Sequence, residues 1–439
     1  MTGGTATPDR SHAPATRDFE SLTLPPITDY PPQGSVQLHV LRGQPSPLCR
    51  VDVLWGEGTL NNPDPVKRCA SVLGTKLLPE GCAAHTGDGI ADIIDFEGAW
   101  VTPLAPLRYC VLSLVCLPAS LRRMLQLLAD VFRAPTVPAE AFAAKQAAMA
   151  DDRRQAMARI AGKAADRLRR LTAGSDHPYL LRPTEEQIMS VTRQDVIEAL
   201  ERDIRHSRLH IYAAGTDSPE AMEALHAFAA DMRSLSGVEY GPYPIVAPRP
   251  EAEHTAEIIV PGSVQTALGC AIPVPITRFH PDYHYLRQTI IALGGYFGSR
   301  LMTNIREEKG LTYGISASLQ SSQGHSEMLM SAQCSGGKGR LALDECVREI
   351  RRLAAEPFPD DELLRLRRHL ATSMAAVLDT PFSILDHHIL TAQLDIPDNY
   401  FSRQFECVRT LDSDKIREMA GRYLDPDKMY TVSAGAPME

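Results

Sequence analysis

The sequence predicts an α+β fold built as two homologous α/β halves, on three observations. Strand-like and helix-like segments alternate along the chain, a proline-rich stretch interrupts them near the middle, and the order on its two sides repeats at a nearly constant offset. The chain has 439 residues, 44% hydrophobic and 23% charged, which is enough to bury a sizeable core and favours two or more domains over one.

In chain order, residues 1–21 are polar and contain no apolar h-region, so they read as a frayed arm and not as a secretory signal. SVQLHVLRG (35–43) and CRVDVLWGEGT (49–59) read as strands, PVKRCASVLGTKLL (65–78) as a helix and RYCVLSLVCLP (108–118) as another strand. SLRRMLQLLADVF (120–132) is an amphipathic helix. Residues 138–171, rich in Ala, Arg and Lys and opened by Pro138, read as one long helix. GPYPIVAPRPEAEH (241–254), with four prolines and two glutamates, reads as an interdomain linker.

The repeat is carried by register. TRQDVIEALERDIRHSRLHIYAAG from 192 and DSDKIREMAGRYLDPDKMYTVSAG from 412 are each a capped helix, a turn and a strand ending in Ala-Gly, and 412 − 192 = 220. Pro138 and Pro359 each precede acidic residues that open a long helix, and 359 − 138 = 221. The halves are therefore expected at 22–240 and 255–439, joined by 241–254.

In the second half, HPDYHYLRQTIIAL (280–293) sets Leu286, Ile290 and Leu293 on one helical face, and Gly294-Gly295 interrupts it. YFGSRLMTNIREEK (296–309) brings Phe297, Leu301 and Ile305 to four-residue spacing, so it reads as a second amphipathic helix with Gly310 as its C-terminal left-handed residue. LTYGISASL (311–319) alternates as a strand. A phosphate loop needs glycines between a strand and a helix N-terminus. Here they lie between helices or after one, where the helix dipole repels anions. Arg306 falls in the last helical turn and Tyr313 in the following strand. They either offset the dipole and pack into the core, or share a cleft where a phenol and a guanidinium stabilise a developing oxyanion; spacing alone leaves both readings open.

The stretch LGGYFGSRLMTNIREEKGLTYGISASL, with HPDYHYLRQ before it and LDTPFSILD (378–386) after it, closely resembles the second half of peptidases of the insulinase and pitrilysin family, the inverzincins. SDHPYLLRPTEEQIMSVTRQDV (175–196) is similar to that family's first-half signature, so the resemblance covers nearly the whole chain. It implies two α/β-roll halves, mostly antiparallel sheet with helices on one face, facing each other across a cavity. It also implies peptide substrates, with Arg306 and Tyr313 in the roles of the substrate-side arginine and tyrosine.

The same resemblance exposes a departure. Active members carry H-x-x-E-H on the first helix of the first half, two zinc-binding histidines and a glutamate that activates the metal-bound water. Aligned on Gly81, those positions hold Val72, Thr75 and Lys76. Valine has no lone pair, threonine is no general base near neutral pH, and lysine repels a divalent cation. For the third ligand, the long helix offers no glutamate after Glu140, and Asp151 and Asp152 fall too late. His280 and His284 have Pro281 between them, His387 and His388 are adjacent and point to different faces, and Glu80, Asp92 and Asp95 read as capping or solvating helix ends.

The expectation is a chain without its own zinc or other cofactor. Its partner would be a zinc-bearing homologous subunit in a heterodimer, or a second copy in a homodimer, with Arg306 and Tyr313 acting in trans on a peptide. The alternatives are a non-enzymatic peptide-binding or scaffold protein, and an independent metallopeptidase with atypical ligands.

A formal net charge of −9 argues against nucleic acid and anionic membrane as partners, and no run of about 18 apolar residues exists. Nine scattered cysteines without C-x-x-C make a disulfide scaffold unexpected and a reducing cytoplasm the simplest compartment. SSQGHSEM (321–328) and CSGGKG (334–339) read as strand-connecting loops, and DDRRQ and DRLRRL on the long helix as a solvated charged face.

Overall fold

The structure, a computed structural model, describes residues 11, 19–56, 62–106, 108–177, 182–235, 246–322 and 324–438. Most of the N-terminal arm, and 241–245 of the linker, lie outside them. The fold is mixed α+β with two sheets. The first joins β1 (Ile27–Asp29), β2 (Val36–Leu41), β3 (Cys49–Trp55), β4 (Trp100–Leu104), β5 (Cys110–Cys116) and β6 (Leu209–Ala214) in the order β1-β2-β6-β3-β5-β4. The second joins β7 (Thr255–Ile259), β8 (Gln265–Pro273), β9 (Thr312–Ser322), β10 (His325–Ser335) and β11 (Tyr430–Gly435) in the order β7-β11-β8-β10-β9. In each sheet one pair is parallel, β2 with β6 and β7 with β11, and every other pairing is antiparallel. Setting β2, β6, β3, β5, β4 against β7, β11, β8, β10, β9 matches both order and direction.

One face of each sheet carries helices from its own part of the chain. Val51, Val53 and Leu112 of the first sheet meet Leu73, Leu77, Leu125 and Leu200, and Trp55 stands edge-on to Phe132 at 5.0 Å. Ile272, Met328 and Met330 of the second meet Ile290, Ile350, Leu366 and Ile416. The period-2 alternation of a half-covered strand produces this: on β10, Met328, Met330 and Cys334 face the core, while Leu329, Ser331 and Gln333 face the other way.

The opposite faces are covered by exchange. Leu41, Leu54 and Tyr212 of the first sheet receive Ile384, Leu385 and Ile389 of the helix Pro381–Gln393. Ala267, Ala271 and Val432 of the second receive Ala164, Leu168 and Leu171 of the helix Ile160–Ala173. Ion pairs of Arg50 with Asp386 at 2.6 Å and of Arg108 with Asp395 at 3.0 Å reinforce the first of these crossings.

Several elements differ from expectation. The long helix is two, Ala139–Ala158 and Ile160–Ala173, broken where Arg159 adopts extended geometry (φ −79°, ψ 137°). Gly162 allows the tight turn, since a Cβ there would lie 1.8 Å from the carbonyl oxygen of Ala156. The break swings the second segment onto the other sheet, so its charges do not form a solvated face: Asp166 is buried between Arg153 and Arg170 at 2.7 and 3.0 Å. The stretch 321–328 is mostly strand, with β9 ending at Ser322 and β10 starting at His325; Cys334 and Ser335 are also in β10. The strand read as 49–59 ends at Trp55. The linker's described part is fastened, with Arg249 and Glu251 donating backbone N–H to the carbonyls of Ala173 and Leu171 at 2.9 Å each.

Candidate functional site

The segment after Gly294-Gly295 does not start a helix at once. Gly295 to Ser299 form turns, and residues 302–308 wind as a π-helix, Met302–Glu308. Phe297 is therefore off the buried face and 62% exposed, while Leu301 and Ile305 stay in the core. A π-turn is uncommon and needs outside support, which Asn304 supplies. Its buried amide donates to Glu345 at 3.0 Å and Glu349 at 2.6 Å, both on the helix Gly339–Ala355. Lys309 pairs with Glu345 at 2.5 Å and Arg352 with Glu349 at 2.9 Å. Burial pushes the Glu345 carboxyl up, but Lys309 and Asn304 outweigh it and hold its pKa below the ordinary glutamate value. Gly310 closes the segment at φ +58°, the left-handed geometry expected of it.

Arg306 projects from the last turn of this π-helix, half-buried, with its guanidinium 4.7 Å from the centre of the Phe297 ring. Tyr313 follows on β9 at an irregularity: Ile315 pairs with Ala332 but Thr312 pairs with Cys334, so β9 carries one extra residue. Such a bulge turns a side chain out of the regular alternation. The Thr312 hydroxyl donates to Gln333 O at 2.6 Å and accepts the Gly314 N–H at 3.2 Å, which fixes the bulge and leaves Tyr313 90% exposed.

Tyr313 stands in the lining of a cavity of about 880 Å³ on the open face of the second sheet. Its floor is β8, β9 and β10, with Ser316, Ser318, Gln320, Ser331 and Gln333 upward, and its wall is the helix Ile160–Ala173. Met302 of the π-helix reaches the lining, whereas Arg306 stands on the same element outside it. Tyr313 is thus brought to the cavity and Arg306 to the adjoining segment.

The first-half positions behave as packing residues. Val72, Thr75 and Lys76 lie on the helix Pro65–Leu77, capped by Asp64. Thr75 is 1% exposed and its hydroxyl donates to the Ser71 carbonyl at 2.9 Å, so it is used up within its own helix. Lys76 sits in the last turn, and nearby Glu80 is paired with Lys145 of the helix Ala139–Ala158 at 2.7 Å. A site with two lysines and no imidazole does not fit zinc. Asp151 is held by Arg154 at 2.7 Å, and Asp92 and Asp95 are exposed. His280 accepts the Asp282 N–H at 3.1 Å outside the helix that contains His284. His284 is buried against Tyr400, and burial pulls its pKa down to about 4. His388 bonds the Pro25 carbonyl at 2.8 Å, and His387 packs on Phe401. Among the described residues no group of three or more His, Cys, Asp or Glu side chains forms a metal site.

Sequence reasoning missed Asn304, Lys145 and Arg169. The spacing of Ala164, Leu168 and Leu171 was a usable signal for the last of these, since it gives the Ile160–Ala173 helix an apolar face beside the arginine run.

Residues 190–370 match the family described as peptidase M16 inactive domain. A curated relative, the probable inactive metalloprotease YmfF of Bacillus subtilis (strain 168), is 22% identical over 329 residues, covering 71% of this chain and 72% of the relative. Among solved structures, a peptidase M16 inactive domain from Pseudomonas fluorescens superposes with a TM-score of 0.81 at 23% identity, covering 94% of this chain and 98% of its own. The periplasmic protease PqqL from Escherichia coli superposes with a TM-score of 0.73 at 14% identity, covering 98% of this chain and 49% of its own.

Proposed function

The chain belongs to the insulinase-like peptidase family and lacks its zinc motif, and from that premise we propose that it is the non-zinc subunit of a peptide-degrading or processing peptidase. The observation that carries this reading is the asymmetry between the two halves. A bulge presents Tyr313 at the edge of an 880 Å³ cavity beside a braced π-helix, while Val72, Thr75 and Lys76 offer no ligand and no base. The zinc and the activated water come from a homologous subunit paired with this one, as in short-chain members of such families. This chain's part is to bind: the Tyr313 phenol donates a hydrogen bond to the oxygen of the scissile carbonyl, and the Arg306 guanidinium offsets the charge that develops there.

Mixing the purified chain with zinc-bearing relatives and assaying peptide cleavage tests this. Turnover should appear only in the mixture, and Tyr313→Phe should lower it about 100-fold, the usual loss for one oxyanion donor. Unchanged turnover in the Tyr313→Phe mixture overturns the role.

A second reading, a peptide-binding or scaffold protein, is favoured by the hydrogen-bonding floor of Ser316, Ser318, Gln320, Ser331 and Gln333. A neighbouring reading frame with H-x-x-E-H favours the subunit, and its absence favours the scaffold. We further read 22–240 and 255–439 as an internal repeat, supported by the matched strand order, and the cytoplasm as the compartment, supported by eight buried cysteines.

A further inference from the structure

The cavity contains a cation that the oxyanion reading does not use. Of the arginine run on the helix Ile160–Ala173, Arg167 is paired with Glu251 at 2.9 Å and Arg170 with Asp166 at 3.0 Å. Arg169, between them, lines the cavity with neither an ion pair nor a hydrogen bond among the described residues. Of the acidic groups near it, Asp166 is held by Arg153 and Arg170, while Glu327 lies 3.0 Å from His325 with that carboxylate oxygen making no hydrogen bond, and among the described residues neither carboxylate is within ion-pair distance of Arg169. Burial, followed by the like charge of Arg182, works against its protonated form and lowers its pKa from the ordinary arginine value. Yet a guanidinium cannot shed its proton in a protein, so it remains a mostly desolvated charge awaiting a partner.

Its place along the cavity is also defined. Arg169 feels the charge of Glu327, which pairs in register with Gln320, and both of these line the cavity. Gln320 is seven residues along β9 from Tyr313, roughly 23 Å of extended chain.

We propose that Arg169 receives a carboxylate of the bound peptide, either an acidic side chain or the C-terminal carboxylate, about six or seven residues from the carbonyl held at Tyr313. The inference rests on the reading that the cavity takes peptides, and it names the class: extended peptides with one negative charge at that remove.

Isothermal titration calorimetry on the full chain, wild type and Arg169→Gln, tests it with a neutral peptide amide, the same peptide with a single glutamate moved along it, and the same peptide with a free C-terminus. Wild type should bind one acidic peptide about 10- to 100-fold more tightly than the neutral amide, as a charge-assisted hydrogen bond requires. The peptide that gains distinguishes side chain from terminus. Arg169→Gln, with an unchanged melting temperature, should abolish the preference and keep the affinity for the neutral amide. A preference that survives Arg169→Gln, or a wild type that binds all peptides equally, overturns the inference and leaves the peptide reading intact. If no peptide binds either protein, the peptide reading fails and the inference with it.

Discussion

Thr75 and Tyr313 stand at the two extremes of exposure among the candidate positions. Thr75 has its only polar group satisfied by Ser71 inside a buried helix face. Writing the missing general base back as Thr75→Glu buries a carboxylate with no prepared donor, at a cost of about 3 kcal/mol, which urea denaturation would read as a lower midpoint. Tyr313 makes the opposite case, since its ring touches mainly solvent. Tyr313→Phe should leave stability within about 0.5 kcal/mol of wild type, so any loss of turnover in a reconstituted enzyme is loss of the hydroxyl and not of the fold. The placement of Arg306 in the last turn of a helical segment and of Tyr313 on the strand after it was legible in the sequence, from apolar spacing, Gly310 and the alternation that follows. Arg169 was legible only in part: the spacing of Ala164, Leu168 and Leu171 marks an apolar face on its helix, but only the crossing of that helix to the other sheet gives its charge a cavity to face.

At the scale of single elements, the π-helix Met302–Glu308 depends on a residue outside any recognisable pattern. Asn304→Ala removes the amide that bridges Glu345 and Glu349 and leaves two buried carboxylates short of a donor. A loss of about 2–3 kcal/mol is expected in chemical denaturation, together with a weaker contribution of Arg306 in the mixed-subunit assay. Strands β2, β3, β5 and β9 and the helices after Thr192 and Asp412 were legible from short β-branched and apolar runs, alternation and caps. The break at Arg159 was not: alanines and long polar side chains favour a helix throughout, and only Gly162 hinted at the close approach to Ala156. Phe297 was misread for a related reason. Four-residue spacing finds an apolar face only where the backbone is already an α-helix, and this one is a turn followed by a wider winding.

For the whole molecule, buried histidines set the response to acid. His210 and His284 are each pulled down to about 4 by burial, against 6.5 when free. Above pH 6.5 folded and unfolded chains are alike at these sites. As pH falls from 6.5 toward 4 the unfolded chain takes up protons the folded chain refuses, so stability declines by about 2 kcal/mol per residue at pH 5. Urea midpoints at pH 7 and pH 5 would check this; equal midpoints would refute it. Because each sheet is covered by a helix from the other part of the chain, the two sheets should unfold as one cooperative unit. Leu385→Ala, a fully buried contact across that boundary, should cost about 3 kcal/mol and lower a single transition without splitting it. The same exchange has a consequence in time. Leu41 meets Ile384 only after 384 − 41 = 343 further residues have been made, which is roughly 20–70 s of synthesis. Through that interval the outer face of the first sheet is bare, so the newborn chain must be sheltered until the helix Pro381–Gln393 arrives.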